Sequence, residues 1–144
     1  MEPITKTEVL KFLRAHPECV LATVSPEGKP EAATVLFAVD DDFVFYFGTF
    51  EKYRKYQNLA KNKQAAIVVG ATVKEPKSAQ IEGVMEPIEH EADITKTKIF
   101  FAEQNPAMKP FFASPLKFFK LHPAWLRFLD ETKSEAENFQ QIIP

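Results

Sequence analysis

The strongest chemical signal is a short aromatic run that turns basic: residues 45 to 64 read FYFGTFEKYRKYQNLAKNKQ. Five cations stand here against the single acid Glu51: Lys52, Arg54, Lys55, Lys61 and Lys63. Tyr53, Tyr56, Leu59 and Ala60 recur at helical spacing, so we expect a helix from Glu51 to about Asn62, entered directly from a strand.

A helix entered in this way is a potential anion site. Its first turn exposes unpaired N–H groups and a partial positive charge, both of which attract phosphate. Gly48 permits close backbone approach, Thr49 offers a hydroxyl near the N-cap, and Arg54 and Lys55 add charge. Lys55 falls at the rim of the apolar face, whereas Lys61 is predicted to be solvated. The alternative is an amphipathic helix whose charges are simply solvated.

Composition limits the remaining possibilities. The 144 residues suit one compact domain (1–144), and 45% apolar residues with 14 Phe predict a well-filled interior. The net charge of −2 argues against a general nucleic-acid or anionic-membrane surface, which needs a broad basic field. Any basic residues that matter are therefore local.

Cellular context is predicted from what the sequence lacks. Cys19 is the only cysteine, so neither an intramolecular disulfide nor a cysteine-based zinc cluster is expected. No stretch approaches the roughly 20 apolar residues of a membrane span, and the N-terminus has no signal-peptide core. We therefore expect a cytoplasmic protein that binds neither membrane nor nucleic acid.

The secondary-structure pattern is mainly β. A capping box, TKTE, starts a helix that Pro17 ends. Residues 19–48 hold three β-rich runs separated by SPEGKP and DDD, which indicates an antiparallel meander. Two further strands are predicted at 65–73 and 78–89. A helical region follows from Ala92 to about Phe112, and a closing pair of strands lies at 116–130, where Pro123 predicts a turn. A terminal helix or loose end follows. About six strands predict a small antiparallel barrel with peripheral helices.

Other reactive residue types form no recognisable catalytic set. His16, His90 and His122 are scattered and show no metal or nucleophile spacing, so they are interpreted as structural or surface residues. Cys19, at a strand start, is predicted to be a small core residue. Trp125 fits either a ligand wall or packing in the core or between subunits. No catalytic or metal-binding side chain is therefore predicted.

Taken in order, these segments resemble the pyridoxamine 5'-phosphate oxidase-like family, the FMN-binding split barrels. The resemblance runs from about residue 8 to residue 130. VLATVSPEGKPEAATVLFAV is similar to the opening hairpin, FVFYFGTFEKYRKYQNL to the aromatic strand and basic helix, QIEGVMEPI to the next strand and FFKLHPAWLRFLD to a closing hairpin. The fold implied is a six-stranded antiparallel Greek-key split β-barrel that carries FMN.

The resemblance also implies site residues and partners. It places Val35 and Leu36 against the flavin ring, and three residues, Tyr46, Phe47 and Thr49, at the ring and ribityl phosphate. It places Arg54 and Lys55 on the phosphate, with Gln80 as a polar ring contact. It further implies a homodimer with FMN at the subunit interface, acting with a small-molecule substrate or electron donor.

Departures from the family pattern limit the activity. Vitamin B6 oxidases carry Arg and Lys where Ala33 and Ala38 stand here, a serine in place of Tyr53, and a later Arg-x-His motif that is missing here. The resemblance therefore implies a flavin-dependent oxidoreductase that is not a true vitamin B6 oxidase. The alternatives are a non-catalytic protein that stores or senses FMN, haem or a deazaflavin, and a structural dimer without cofactor.

Overall fold

The computed structural model describes residues 4–70 and 72–132, and the backbone of 138–142. The helices are α1 (Lys6–Ala15), α2 (Arg54–Lys61) and α3 (Glu91–Gln104), with a 3-10 helix at Pro106–Ala113. The strands are β1 (Glu18–Val24), β2 (Pro30–Leu36), β3 (Ala38–Val39), β4 (Phe45–Thr49), β5 (Gln64–Gly70), β6 (Lys77–Ile88), β7 (Lys117–Asp130) and β8 (Asn138–Ile142).

The strands form one antiparallel sheet in the order β2-β1-β5-β6-β7-β4-β3, with β8 paired to β7. The mainly β prediction is confirmed, but the described residues hold eight strands rather than six. The two predicted hairpins are present, β1–β2 and, across the acidic turn, β3–β4, but the second predicted run is divided into β2 and β3, so the three runs do not form one continuous meander. Phe37 leaves the β2 ladder, its N–H donating to the Pro17 carbonyl at 2.9 Å, and β4 then pairs with β7.

The core lies inside the curl of this sheet. Its largest fully buried side chains include Phe37, Phe43, Phe45, Leu121 and Leu126. Aromatic residues fill a curled sheet efficiently because each one removes a large apolar area from water. The apolar face of α1 covers one end of the core, and the Glu8 N–H donates to Thr5 Oγ1 at 3.2 Å, as the capping box predicts.

The predicted closing hairpin is wrong, because residues 117–130 form one continuous strand. Pro123 is accommodated at a β-bulge: Glu82 faces Trp125 and Gly83 faces Pro123, which leaves Ala124 as the extra residue. Gly83 allows this close approach, since a Cβ there would lie 2.2 Å from the His122 carbonyl oxygen. Residues 138–142, predicted to be a helix or loose end, form β8, and the intervening 133–137 lie outside the described residues.

Helix boundaries differ from the predictions at specific residues. α2 begins at Arg54 rather than Glu51, with Tyr53 as an N-cap that makes no side-chain hydrogen bond. The predicted helix from Ala92 to Phe112 ends at Gln104, because Pro106 disfavours helical dihedrals in the residue before it, and a 3-10 helix follows. Among the described residues, no helix has the length and apolar character needed to cross a lipid bilayer.

Cys19 is part of the core, as predicted. It is 3% exposed, and burial raises the pKa of its thiol to about 12. A thiol that stays protonated in this way is a poor nucleophile and a poor metal ligand. Cys19 therefore contributes packing rather than reactivity.

Candidate functional site

A groove opens where the end of β4, α2, β2 and the 3-10 helix meet; we call it the Thr49 groove. It encloses about 200 Å³. Four of the eight predicted site residues line it: Val35, Leu36, Thr49 and Lys55. Other apolar and aromatic lining residues complete the walls: Phe50, Tyr53, Phe101, Met108, Phe111 and Leu116. Apolar walls with a few polar groups are typical of a cofactor site.

Thr49 is the most informative residue in this groove. It ends β4, where it pairs with Lys117, and its side chain is only 5% exposed. Its Oγ1 has no hydrogen-bond partner among the residues that the structure describes. A buried hydroxyl without a partner costs about 1 to 3 kcal/mol, so such groups usually have an external partner. The arrangement is suited to a polar ligand atom beside Thr49.

Lys55 supplies the positive charge of the groove. It stands in the first turn of α2 and is half-buried, and burial lowers the pKa of its ammonium group. Its Nζ lies 4.5 Å from the centroid of the Tyr53 ring. Among the described residues, no carboxylate lies within ion-pair distance of Nζ. An unpaired, partly desolvated cation next to an apolar groove is well placed to bind an anion.

A second cleft adjoins the groove at Tyr53 and Lys55; we call it the Glu31 cleft. It encloses about 160 Å³ and is also lined by Glu31, Ala33 and Arg54. Arg54 Nη1 donates to Glu31 Oε2 at 3.0 Å. The cation that the resemblance places on a phosphate is thus already paired with a carboxylate of this chain.

A hydrogen bond from a buried amide also fixes the position of the Glu31 carboxylate. Asn58 Nδ2 donates to Glu31 Oε1 at 2.8 Å and to Thr23 Oγ1 at 3.0 Å. Asn58 is 3% exposed and Thr23 2% exposed. Glu31 is therefore fixed by α2 and β1, and the carboxylate has a defined position in the cleft.

Three of the other predicted site residues line neither the Thr49 groove nor the Glu31 cleft. Tyr46 lines a separate polar pocket, where its hydroxyl donates to Asp40 Oδ2 at 3.4 Å and where burial and that carboxylate raise its pKa. Phe47 packs in the core at 3% exposure. Gln80 lies on β6, where its Oε1 accepts from Arg127 Nη2 at 2.7 Å. The Tyr46 side chain lies on the opposite face of β4 from Phe47 and Thr49, because successive side chains of a strand alternate between its two faces.

Sequence reasoning missed Glu31, Met108 and Phe111. The period of a strand could have revealed Glu31, because residues 31, 33 and 35 of β2 share one face and Val35 was already a candidate. Met108 and Phe111 reach the groove only because the chain forms a 3-10 helix after Asn105, which the sequence does not indicate. Phe111 is 51% exposed at the rim.

The histidines lie outside the Thr49 groove. His16 Nε2 is 3.0 Å from Glu75 Oε2, and His122 Nε2 is 2.6 Å from Glu86 Oε2. His90 is the N-cap of α3 and makes no side-chain capping bond. Within the described residues, no group of three potential ligands is arranged to hold a metal ion.

The curled antiparallel sheet, the basic helix after β4 and the groove between them define a split barrel of the pyridoxamine 5'-phosphate oxidase type. Residues 5–130 match the sequence model of the family described as pyridoxamine 5'-phosphate oxidase. The chain belongs to this family.

One relative shares part of the sequence. A pyridoxine/pyridoxamine 5'-phosphate oxidase from Alkalilimnicola ehrlichii is 42% identical over 81 residues, which cover 54% of this chain and 40% of the relative. The match thus spans less than half the length of that enzyme.

Solved structures confirm the fold. A heme binding protein from Mycobacterium smegmatis superimposes with a TM-score of 0.78 at 17% identity, covering 99% of this chain and 60% of that one. A heme storage protein from Vibrio cholerae gives 0.70 at 17%, covering 81% and 88%. A conserved hypothetical protein from Mycobacterium tuberculosis gives 0.74 at 20%, covering 88% and 85%. Identities this low establish a shared fold alone.

Proposed function

We propose that this protein binds FMN in the Thr49 groove and acts as a flavin-dependent oxidoreductase on a small molecule. The single observation that carries the proposal is that one apolar groove holds both the buried Thr49 hydroxyl and the Lys55 ammonium group. Among the described residues, that hydroxyl has no hydrogen-bond partner and that ammonium group has no carboxylate partner. A ring with a phosphate-bearing tail matches both parts of this site. Family membership adds support, since the segment that builds the groove is part of the match.

Each lining residue has a defined task in this proposal. Thr49 Oγ1 donates to a phosphate oxygen, and Lys55 neutralises the phosphate charge. Val35, Leu36 and Phe111 shield the ring from water. Bound FMN supplies the chemistry, because its ring accepts and releases a hydride or electrons. Ordered apolar walls favour this chemistry by keeping bulk water from the reacting atoms.

A homodimer would complete the site. About 200 Å³ falls short of the roughly 300 to 1,000 Å³ typical of a cofactor pocket, so one chain encloses only part of FMN. The outer face of the sheet exposes Val20 at 40% and Val84 at 43%, near the half-buried Trp125. Exposed apolar side chains on one face favour subunit contact. We propose that a second copy covers this face and supplies the missing walls.

The substrate is expected to differ from pyridoxamine 5'-phosphate. Ala38, which replaces a lysine of the vitamin B6 oxidases, is fully buried and presents no group to a ligand. Ala33 replaces their arginine and lies in the Glu31 cleft, where it contributes no charge. A second phosphate-bearing molecule would therefore find few cationic partners here.

Non-catalytic storage of FMN, a deazaflavin or haem is the second candidate. Two structural neighbours are a heme binding and a heme storage protein, which is the observation in its favour. Haem iron usually needs an axial histidine, cysteine, tyrosine or methionine. No described histidine lines the Thr49 groove and Cys19 is buried elsewhere, which leaves Tyr53 and Met108 as the groove residues of a type that can bind haem iron. We prefer a flavin because Thr49 and Lys55 together suit a phosphate, which haem lacks.

Titration of the purified protein with FMN, riboflavin and hemin tests these proposals. We expect FMN to bind at micromolar concentration, with a shifted absorption band and quenched fluorescence, and riboflavin to bind more weakly because it lacks the phosphate. Anaerobic NADH or NADPH should then bleach bound FMN. Binding without bleaching by either donor would support storage. Failure of FMN to bind at micromolar concentration would reject the flavin proposal.

The affinity for FMN is expected to fall at alkaline pH. Burial lowers the pKa of Lys55, and a bound phosphate would raise that pKa again by favouring the ammonium form. FMN binding therefore takes up a proton once the pH exceeds the pKa of free Lys55, and affinity declines above it. The ratio of FMN to riboflavin affinity, measured from pH 7 to pH 11, isolates this effect from ionisation of the shared ring. A ratio independent of pH would remove Lys55 from the phosphate site.

A further inference from the structure

We propose that Glu31 competes with the ligand phosphate for Arg54 and thereby sets how strongly the site prefers a phosphate-bearing tail. This inference rests on the proposed function. In this proposal Glu31 determines ligand specificity, because it keeps the Arg54 guanidinium group paired with a carboxylate and thus away from the phosphate.

The two partners are held very differently. The side chain of Arg54 is 80% exposed, whereas that of Glu31 is 20% exposed. The Asn58 amide fixes Glu31 from the buried side, at 2.8 Å. Among the described residues, Arg54 makes no other side-chain hydrogen bond or ion pair, and it lies in the first turn of α2 next to Lys55. When a phosphate arrives, Arg54 is therefore the partner that can move.

The Glu31 carboxylate and a bound phosphate would both lie close to the Arg54 guanidinium group. Glu31, Arg54 and Lys55 all line the Glu31 cleft, and Lys55 also lines the Thr49 groove. A phosphate bound by Lys55 would thus lie within reach of Arg54 only if Arg54 left Glu31. This competition lowers the affinity for a dianion, while a neutral tail does not experience it.

The strength of the existing pair makes the exchange feasible. An ion pair with one strongly exposed member is weak, because water and salt screen it. A phosphate offers more charge and more acceptor oxygens than a carboxylate, and guanidinium groups bind it in bidentate fashion. Arg54 can therefore move to the phosphate, but in the wild-type protein the loss of its pair with Glu31 offsets most of the gain from that contact.

The test compares wild-type protein with Glu31→Gln in FMN and riboflavin titrations at low ionic strength. Glutamine keeps an oxygen that can accept from Asn58, so α2 stays anchored, but it no longer pairs with Arg54 as an ion. We expect FMN to bind about 5- to 10-fold more tightly and riboflavin to bind unchanged. Glu51→Gln is the matched control: it removes the same charge from an acid that pairs with Lys117 at 3.3 Å, and FMN affinity should stay within twofold.

A second variant separates release of Arg54 from simple repulsion. Arg54→Gln alone should weaken FMN binding only slightly, and the Glu31→Gln gain should disappear when both substitutions are combined. Any of three results would overturn the inference while leaving flavin binding intact: a gain that persists in the double variant, an equal gain for riboflavin, or weaker FMN binding in Glu31→Gln. If FMN binds neither wild type nor Glu31→Gln, both the proposed function and this inference are rejected.

Discussion

Replacing Lys55 with alanine is expected to weaken FMN binding by about 1 to 3 kcal/mol, which corresponds to a roughly 5- to 150-fold higher dissociation constant. Lys55 is the half-buried cation of the Thr49 groove and has no carboxylate partner among the described residues. Its positive charge is therefore fully available to a phosphate. The loss should be specific to the charged tail, so riboflavin affinity should change little.

Lys61→Ala is the matched control for this substitution. Lys61 lies in the last turn of the same helix, is exposed, and lines neither the Thr49 groove nor the Glu31 cleft. Removing it changes the net charge equally, so any general electrostatic effect appears in both variants. Equal losses in the two variants, measured by fluorescence titration at two salt concentrations, would contradict a local phosphate contact and indicate long-range attraction.

Local signals in the sequence predicted local structure well. The TKTE box begins α1 at the expected place because the Thr5 hydroxyl accepts from the Glu8 N–H of the first turn. The β1–β2 hairpin follows its turn signal, with Gly28 at φ 81° between the two strands. Asp40 accepts from the N–H groups of Asp42 and Val44 and so forms the predicted acidic turn.

Features that depend on distant residues were harder to predict. Pro123 suggested a turn, yet β7 continues because Gly83 on the neighbouring strand admits a bulge there. β4 pairs with β7 across more than sixty intervening residues, and no local pattern specifies that partner. Strand order is therefore set by tertiary packing and is not specified by periodicity.

The candidate site likewise combines residues that the local sequence could predict with a residue that depends on tertiary packing. Thr49 and Lys55 follow each other closely in sequence, and strand-to-helix geometry brings both to one groove. Glu31 reaches the same region from β2, and its contact with Arg54 depends on the position of α2 against β1 and β2. A charge count along residues 45 to 64 could not show that one of its cations is already neutralised.

Replacing Thr49 with valine is expected to shift stability and affinity in opposite directions. Valine has nearly the same shape as threonine but no hydroxyl, so the protein without ligand loses an unsatisfied buried polar atom. Its free energy of unfolding should rise by about 1 kcal/mol. FMN binding should weaken by about 1.5 to 3 kcal/mol, because the phosphate loses a donor.

Thr23→Val provides the matched comparison for stability. Thr23 is as buried as Thr49, but its Oγ1 accepts from Asn58 Nδ2 at 3.0 Å. The same substitution there leaves a buried N–H without this acceptor and should lower the free energy of unfolding by about 1 to 3 kcal/mol. Urea denaturation of both variants without ligand measures the difference. If Thr49→Val is destabilised as much as Thr23→Val, the Thr49 hydroxyl has a partner within the folded protein, and its assignment as a phosphate donor fails.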